Sequence, residues 1–167
     1  MRTKVTKLIP AVVLTSHTMG LGVIRALGKM GVPIIVFYYE KFDFGYLSKY
    51  VQKKHLIPHP EKFEEQFIKQ LIDQAQKNER NLLIPVDDAT VIIVSKYKRL
   101  LEKYYIVACT EFEITDLFIN KEKTYRLAEK INIPAPKTLI PKSVRDLETL
   151  TNSILFPCLV KPSYSHR

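Results

Sequence analysis

The sequence predicts an α/β protein built around a parallel, doubly wound sheet, and three observations lead to this fold class. Short apolar segments rich in β-branched residues alternate with longer segments whose apolar residues recur at helical spacing. A glycine-containing turn joins the first apolar segment to the first helix. The composition, 46% hydrophobic and 26% charged over 167 residues, is typical of a globular chain of about one domain. Strands that alternate with helices favour a parallel sheet over segregated layers.

The first strand–helix–strand unit lies in residues 11–39. Residues 11–15 (AVVLT) predict a strand, and residues 23–31 (VIRALGKMG) predict a helix with Gly31 at its C′ position. Residues 34–39 (IIVFYY) predict the second strand. A crossover helix between two such strands is the building block of a doubly wound sheet.

The alternation continues as far as residue 109. Phe67 and Leu71 belong to a set of apolar residues at four-residue spacing, which predicts one buried helix face. The predicted elements are a short strand at 54–57, a helix at 61–77, a strand at 82–86, a helix at 87–104 and a strand at 105–109.

After residue 110 the pattern changes. Two successive helices are predicted at 111–118 and 121–131, followed by a proline-rich extended hinge at 132–136. The remaining predicted elements are a strand at 137–141, a helix at 143–154 opened by a capping box of Ser143 and Asp146, and a buried strand at 157–162. These last elements are too few to form a core alone, so they predict the beginning of a second domain.

The charge balance is basic, with 26 Lys and Arg against 17 Asp and Glu and a net charge of +9. Such a surface attracts polyanions, including nucleotides. The basic residues are dispersed, which favours solvated faces over a specific nucleic-acid interface. No segment is long enough to span a membrane, and the basic, apolar N-terminus is interrupted by Pro10, so it predicts a first strand in a cytoplasmic protein rather than a signal peptide.

Cysteine and histidine usage excludes several site classes. Cys109 and Cys158 lie in apolar segments and predict small core residues rather than a disulfide framework. No metal-ligand spacing and no nucleophilic triad is evident among the four histidines, so no metal ligand is predicted.

Gly20 and Gly22 precede the first predicted helix, where backbone N–H groups and the helix dipole favour an anion. Glu40 follows Gly20 at a spacing that suits the ribose-binding acid of a dinucleotide site. However, Arg25 occupies the third glycine position and the loop is longer than the usual turn. A structural turn or a small-anion cleft is therefore favoured over a dinucleotide site.

Asp87 and Asp88 follow a predicted strand, at the end where open α/β sheets place their ligands. One of them is expected to be a helix N-cap. The other either faces solvent or holds a substrate amino group in the crevice, and both alternatives stay open.

Two lysines lie in the second part of the chain. Lys121 has the pattern of a solvated helix residue, whereas Lys161 ends a short apolar segment that predicts a buried strand. Burying an unpaired ammonium is costly, so Lys161 implies an anionic partner, of which a phosphate is the simplest example.

Four segments in this order resemble the N-terminal part of an ATP-grasp carboxylate–amine ligase, in the branch that contains carbamoyl-phosphate-synthase-like and D-aspartate-ligase-like proteins. The resemblance covers essentially the whole chain. The segments are GLGVIRALGKMGVPIIVF (20–37), LLIPVDDATV (82–91), INKEKTYRLAEKINIPAPKT (119–138) and FPCLVKPSYSH (156–166).

The resemblance implies a Rossmann-like pre-ATP-grasp domain at 1–110, linker helices and a hinge at 111–136, and an incomplete ATP-grasp small lobe at 137–167. Lys121 and Lys161 match the two phosphate-contacting lysines of the family. The first domain would contribute a substrate cleft, for which the candidates are Gly20, Gly22, Asp87 and Asp88. The full enzyme would use ATP and magnesium to activate a carboxylate as an acyl phosphate, which an amine then attacks.

In the family pattern, the glycine-rich loop, the adenine-binding segment, the magnesium ligands and the catalytic arginine all follow residue 167. We therefore expect these residues alone to have no ligase activity and to bind ATP weakly or not at all. An open strand edge and an uncovered apolar face favour dimerisation, domain exchange or disorder, so we expect either self-association, for example as a homodimer, or mobility after residue 136. No catalytic residue is assigned. The alternative hypothesis is a Rossmann-type nucleotide- or dinucleotide-binding domain. A nucleic-acid-binding module lacks support because no aromatic-plus-basic motif is evident.

Overall fold

A computed structural model describes residues 8–15, 17–75, 79–150, 154 and 156–164. The chain divides into two compact units, Met1–Thr115 and Asp116–Arg167. The elements of the first unit are β1 (Ala11–Leu14), α1 (Thr18–Lys29), β2 (Ile34–Tyr38), a 3₁₀ turn (Gly45–Leu47), β3 (Val51–Leu56), α2 (Glu64–Asp73), β4 (Asn81–Pro85), α3 (Asp88–Lys96), α4 (Lys98–Leu101) and β5 (Tyr105–Val107). Helix α5 (Phe112–Ile119) crosses the boundary, and α6 (Lys121–Lys130) and α7 (Val144–Leu150) follow.

The first unit contains a five-stranded sheet in the order β3-β2-β1-β4-β5, and every adjacent pair is parallel. In the central strand, Val12 lies opposite Ile35 of β2 and Leu83 of β4. The predicted α/β class and the parallel sheet are therefore confirmed. The edge strand β3 begins at Val51, three residues earlier than the predicted start at 54.

Helices cover both faces of the sheet. Val12 and Leu14 of β1 share one core with residues of α2, α3 and α4, whereas Ala11 and Val13 lie in a second core with Ile24 of α1. Because successive strand residues point to opposite faces, a strand covered on both sides must be apolar throughout. This explains the uninterrupted apolar sequence of β1 and β2.

The first helix begins earlier than predicted, at Thr18, because His17 provides its N-cap. Gly20 and Gly22 therefore lie inside α1 rather than in the preceding loop, which corrects the predicted helix start at residue 23. A Cβ atom on Gly20 would lie 2.4 Å from the carbonyl oxygen of Thr15. The start of α1 can thus pack on the end of β1 only because residue 20 has no side chain.

The other end of α1 also depends on glycine. A Cβ atom on Gly28 would lie 2.4 Å from Cβ of Tyr50, so the helix backbone packs directly on that aromatic residue. After the C-cap residue Met30, Gly31 has a φ of +79°, which confirms its predicted place at C′.

The single helix predicted at 87–104 is two helices. Tyr97 ends α3 and precedes α4, with φ −100° and ψ 14°, outside the helical region. The periodicity of the apolar residues did not reveal this break, since Ile93 and Leu101 still reach the same core on either side of it.

The predicted helices α5 and α6 are confirmed. The capping box of α7 is also confirmed, since the Asp146 N–H donates to Ser143 Oγ at 3.2 Å and the Ser143 N–H donates to Asp146 Oδ2 at 3.1 Å. Residues 151–153 of that predicted helix lie outside the described residues.

Two predicted strands of the second unit are wrong. Residues 137–141 and 157–162 have no strand structure, and Leu159 and Val160 are 84% and 96% exposed. A strand–helix–strand segment of this size cannot bury enough apolar surface to hold its strands in a sheet. Cys158 and Lys161 are exposed as well, which corrects the prediction of a core cysteine and a buried lysine.

No helix in the described part of the chain is long and apolar enough to cross a membrane.

Candidate functional site

The carboxyl ends of three neighbouring strands carry polar residues. Thr15 follows β1, Tyr39 follows β2 and Asp87 follows β4. The chain proceeds from β1 to β2 and β3 on one side, then returns to place β4 and β5 on the other. The gap between β1 and β4 is therefore the topological switch point, where open α/β sheets bind ligands.

Asp87 has hydrogen-bond partners on both carboxylate oxygens. Its Oδ1 accepts from the backbone N–H and the hydroxyl of Thr90, both at 2.8 Å, as the N-cap of α3. Its Oδ2 accepts from the Tyr39 hydroxyl at 2.5 Å and lies 3.4 Å from His17 Nε2. Asp87 is thus the helix cap of the acidic pair, and it also joins the ends of β2 and β4. Asp88 is half-buried in the first turn of α3, where a negative charge complements the helix dipole.

His17 caps α1 through its side chain. Its Nδ1 accepts a hydrogen bond from the Met19 N–H at 3.3 Å, and its Nε2 faces Asp87. These partners assign the proton to Nε2 when the ring is neutral, because Nδ1 must remain an acceptor. Sequence reasoning did not select His17. Its position, after β1 and before a helix, was the available signal.

Tyr39 and Thr15 complete the cluster. Burial and the hydrogen bond to Asp87 raise the pKa of Tyr39 far above its usual value of 10.0, so the phenol stays protonated and acts as a donor. Thr15 is fully buried and has a φ of 72°, a strained conformation for a β-branched residue. Its hydroxyl lies near Tyr39, but it makes no hydrogen bond of ordinary geometry with the described residues.

Glu40 and His59 flank this cluster. The ring of His59 lies edge-on to Tyr39 with centroids 4.8 Å apart, and its Nε2 lies 3.7 Å from the Glu40 carboxylate. Glu40, the acid that suited a ribose by spacing, is exposed. Gly20 packs against the backbone of Thr15 and does not form part of a phosphate-binding turn.

The second unit brings together the two lysine-bearing segments. Lys121 is the first residue of α6, after the N-cap Asn120, and its backbone N–H donates to the carbonyl of Ser163 at 3.0 Å. Lys161 is exposed two residues before Ser163. The start of α6 and the segment 156–164 are therefore neighbours, although they are far apart in sequence.

Asp116 lies beside this contact. Its Oδ1 accepts from the Tyr164 hydroxyl at 2.9 Å, and its Oδ2 pairs with the Lys123 ammonium. The hydrogen bond from Lys123, followed by that from Tyr164, holds the pKa of Asp116 below its usual range. The carboxylate is consequently charged at neutral pH.

No group of three or more His, Cys, Asp or Glu residues suited to a metal ion occurs in the described part of the chain.

The fold is an open, parallel α/β sheet with a polar cluster at its switch point, the edge at which sheets of this kind place their ligands. No protein-family model matches the sequence. The chain is 33% identical over 98 residues to D-aspartate ligase of Enterococcus faecium (strain Aus0004), a match that covers 54% of this chain and 22% of that relative.

Three solved structures share the fold. L-amino acid ligase from Bacillus licheniformis has a TM-score of 0.68 at 14% identity, covering 86% of this chain and 34% of its own. N5-carboxyaminoimidazole synthetase from Staphylococcus aureus, complexed with ADP, has a TM-score of 0.68 at 12% identity, with 95% and 40% covered. The biotin carboxylase domain dimer of Hydrogenobacter thermophilus 2-oxoglutarate carboxylase, in complex with MgADP, ADP and bicarbonate, has a TM-score of 0.60 at 15% identity, with 91% and 34% covered.

These similarities confirm the resemblance to ATP-grasp ligases that the sequence indicated. The chain spans about a fifth of the length of the curated relative, 22%, and 34–40% of these three structures. At such low identities the structural likeness shows the fold alone. The alternative of a dinucleotide-binding domain is not favoured, because the similar proteins are ligases and carboxylases.

Proposed function

We propose that the chain forms the N-terminal part of an ATP-dependent ligase that joins a carboxylate to an amine. The likeness to D-aspartate ligase, and to a synthetase and a biotin carboxylase domain solved with ADP, supports this proposal. On this proposal, residues 1–110 are the pre-ATP-grasp domain, residues 111–136 are linker helices and a hinge, and residues 137–167 belong to the nucleotide-binding lobe.

The observation that carries the proposal is the hydrogen bond between the Lys121 N–H and the Ser163 carbonyl. It places the segments that bear Lys121 and Lys161 side by side at the N-terminus of α6. Two ammonium groups and a helix N-terminus all favour an anion at the same place. The triphosphate of ATP supplies an anion with enough negative charge to neutralise both lysines.

In the proposed reaction a carboxylate oxygen attacks the γ-phosphorus of ATP, the bond to the β-phosphate oxygen breaks, and ADP leaves. The amine nitrogen then attacks the acyl carbon, inorganic phosphate leaves, and the nitrogen loses a proton. Lys121 and Lys161 would bind the phosphates and offset charge as the γ-phosphoryl group is transferred. No base for the amine is assigned.

Magnesium would offset negative charge on the phosphates in the whole ligase, as in phosphoryl-transfer enzymes generally. Magnesium prefers several oxygen ligands, including one or two carboxylates. The described residues offer no cluster of acids that fits this requirement, so no magnesium ligand is assigned in this chain.

The switch-point edge of the first unit is the proposed substrate cleft, with Gly20, Gly22, Asp87 and Asp88 as its candidate residues. Both oxygens of Asp87 already have protein donors, so its proposed part is to fix Tyr39 and His17 rather than to bind substrate directly. The ligands would be a small carboxylate and an amine. For the 167 residues alone we propose weak ATP binding without ligation. Product in an assay for ATP-dependent amide formation would contradict this.

The phosphate site can be tested by two-dimensional ¹⁵N–¹H NMR during titration of the chain with ATP. We expect the amides of residues 120–124, 161, 163 and 164 to shift at millimolar ATP. In a Lys121→Ala/Lys161→Ala variant the affinity for ATP, measured from these shifts, should fall at least about tenfold, because each lysine contributes a charge-assisted contact. Lys137→Ala, an exposed lysine of the same unit, is the matched control. Unchanged ATP binding by the double variant would refute the assignment.

A further inference from the structure

Asp116 is a buried carboxylate in the second unit, with only 7% of its surface exposed. A buried charge is tolerated only when it is paired and hydrogen-bonded. Its two partners come from different parts of the chain: Lys123 from α6 and Tyr164 from the segment 156–164. The carboxylate therefore joins α5, α6 and that segment.

The attachment of the segment 156–164 rests on polar contacts near its end. Leu159 and Val160 are almost fully exposed, so apolar packing contributes little to its position. Two polar links hold its end, the Tyr164 hydroxyl on Asp116 and the Ser163 carbonyl on the Lys121 N–H. Both links lie within three residues of Lys161.

Lys123 belongs to the link around Asp116 and is not assigned to the proposed phosphate site. The Lys123 ammonium is paired with Asp116 and is thereby engaged within the protein. The same pair keeps Asp116 ionised, since Lys123 lowers the pKa of the carboxyl group. An ionised Asp116 can accept from Lys123 and Tyr164 at the same time, one on each oxygen.

We infer that Asp116 is a positioning residue, which holds the segment 156–164 through Tyr164 and so sets the separation between Lys161 and Lys121. The inference rests on the proposed function, because the separation matters only if both lysines bind one polyphosphate. Asp116 itself does not contact the nucleotide on this reading.

The first test measures the link without nucleotide. In ¹⁵N–¹H spectra we expect Tyr164→Phe and Asp116→Asn to move the amides of residues 161, 163 and 164 toward unstructured positions and to lower their heteronuclear NOE. Glu122→Gln removes a carboxylate that pairs with Arg126 on the same helix, and it should leave those amides in place. If Asp116→Asn also disturbs α6, Tyr164→Phe decides, because it keeps the Asp116–Lys123 pair. Unchanged spectra for Tyr164→Phe would overturn the inference.

The second test is a double-mutant cycle with ATP as the ligand. Loss of one intramolecular hydrogen bond of typical strength should make Tyr164→Phe bind ATP about 3- to 10-fold more weakly. If Tyr164 and Asp116 act through Lys161, the Lys161→Ala/Tyr164→Phe double variant should bind within about twofold of Lys161→Ala alone. Additive losses would mean general destabilisation and would overturn the inference.

The two tests separate the inference from the proposed function. If ATP shifts no amide in residues 120–124 or 161–164 of the unaltered chain, the proposed function fails. The positioning of a phosphate ligand then fails with it, whereas the nucleotide-free spectra still decide whether Asp116 holds the segment.

Discussion

The Tyr39 hydroxyl donates a 2.5 Å hydrogen bond to Oδ2 of Asp87. Tyr39 follows β2 and Asp87 follows β4, and these two strands lie on opposite sides of β1 in the sheet. The bond therefore passes over the carboxyl end of the central strand, where Thr15 is buried in a strained conformation. Polar side chains, rather than apolar ones, therefore cover the end of the sheet at its switch point.

Replacing Tyr39 by phenylalanine should lower the free energy of unfolding by about 2 kcal/mol, because Asp87 loses one of the donors to its half-buried carboxylate. Urea unfolding followed by far-UV circular dichroism measures the loss, since the sequence contains no tryptophan. Tyr104→Phe is the control, because Tyr104 packs against the same core and its hydroxyl makes no hydrogen bond with the described residues. Equal stability of the two variants would contradict the proposed importance of the bond.

Gly20 and Gly22 should respond in opposite directions to substitution by alanine. Gly20→Ala would place a Cβ atom 2.4 Å from the Thr15 carbonyl oxygen and should destabilise the protein by about 3 kcal/mol. At Gly22 the added Cβ meets no atom within 4 Å, and alanine in a helix interior should stabilise by about 0.5–1 kcal/mol. Urea unfolding measures the stability of both variants, and Gly22→Ala serves as the control for Gly20→Ala. A stable Gly20→Ala variant would show that α1 does not pack on β1 this closely.

The two cysteines should react with a thiol reagent at very different rates. Burial raises the pKa of Cys109 to about 11, so at pH 8 only about one molecule in a thousand carries the thiolate there. Cys158 is exposed. We expect one fast and one slow thiol in the native protein, with the slow rate rising as the pH approaches 11.

Cys158→Ser should remove the fast phase of that reaction and leave the slow one. Two equally fast thiols in the unaltered protein would contradict the burial of Cys109. Urea should make the remaining thiol of the variant fast, which separates burial from an intrinsically unreactive cysteine.

The sheet could be predicted from the sequence because the information is local. Strands β1 and β2 are apolar throughout, as strands covered on both faces must be, and Gly31 marks the end of the helix between them. The strand order β3-β2-β1-β4-β5 was not predicted, because it depends on long-range pairing rather than on local sequence. The boundary at Thr18 could not be predicted, since histidine is not among the preferred N-cap residues.

The switch-point cluster was only partly predictable. Asp87 was selected because it follows a strand, but the same reasoning applies to Tyr39 and to Thr15, which also follow strands. Their contact depends on β1 lying between β2 and β4, a fact of topology rather than of local sequence. The hydrogen bond between residues 39 and 87 therefore could not have been found by examining each motif separately.

The interpretation of Lys161 failed at the level of packing. An apolar run bounded by prolines predicted a buried strand, but Val160, which lies in that run next to Lys161, is 96% exposed. A short apolar sequence becomes a strand only when neighbouring strands supply hydrogen bonds and a covering layer supplies burial. Neither condition is a property of the run itself.

The contact of Gly28 with Tyr50 has an evolutionary consequence. The helix backbone lies against that residue so closely that no side chain at position 28 fits while the tyrosine keeps its place. Homologues that share this fold should therefore change the two positions together, with any larger residue at 28 accompanied by a smaller one at 50. Such paired substitutions would show that the short distance between the first helix and the residues leading into β3 is kept across lineages.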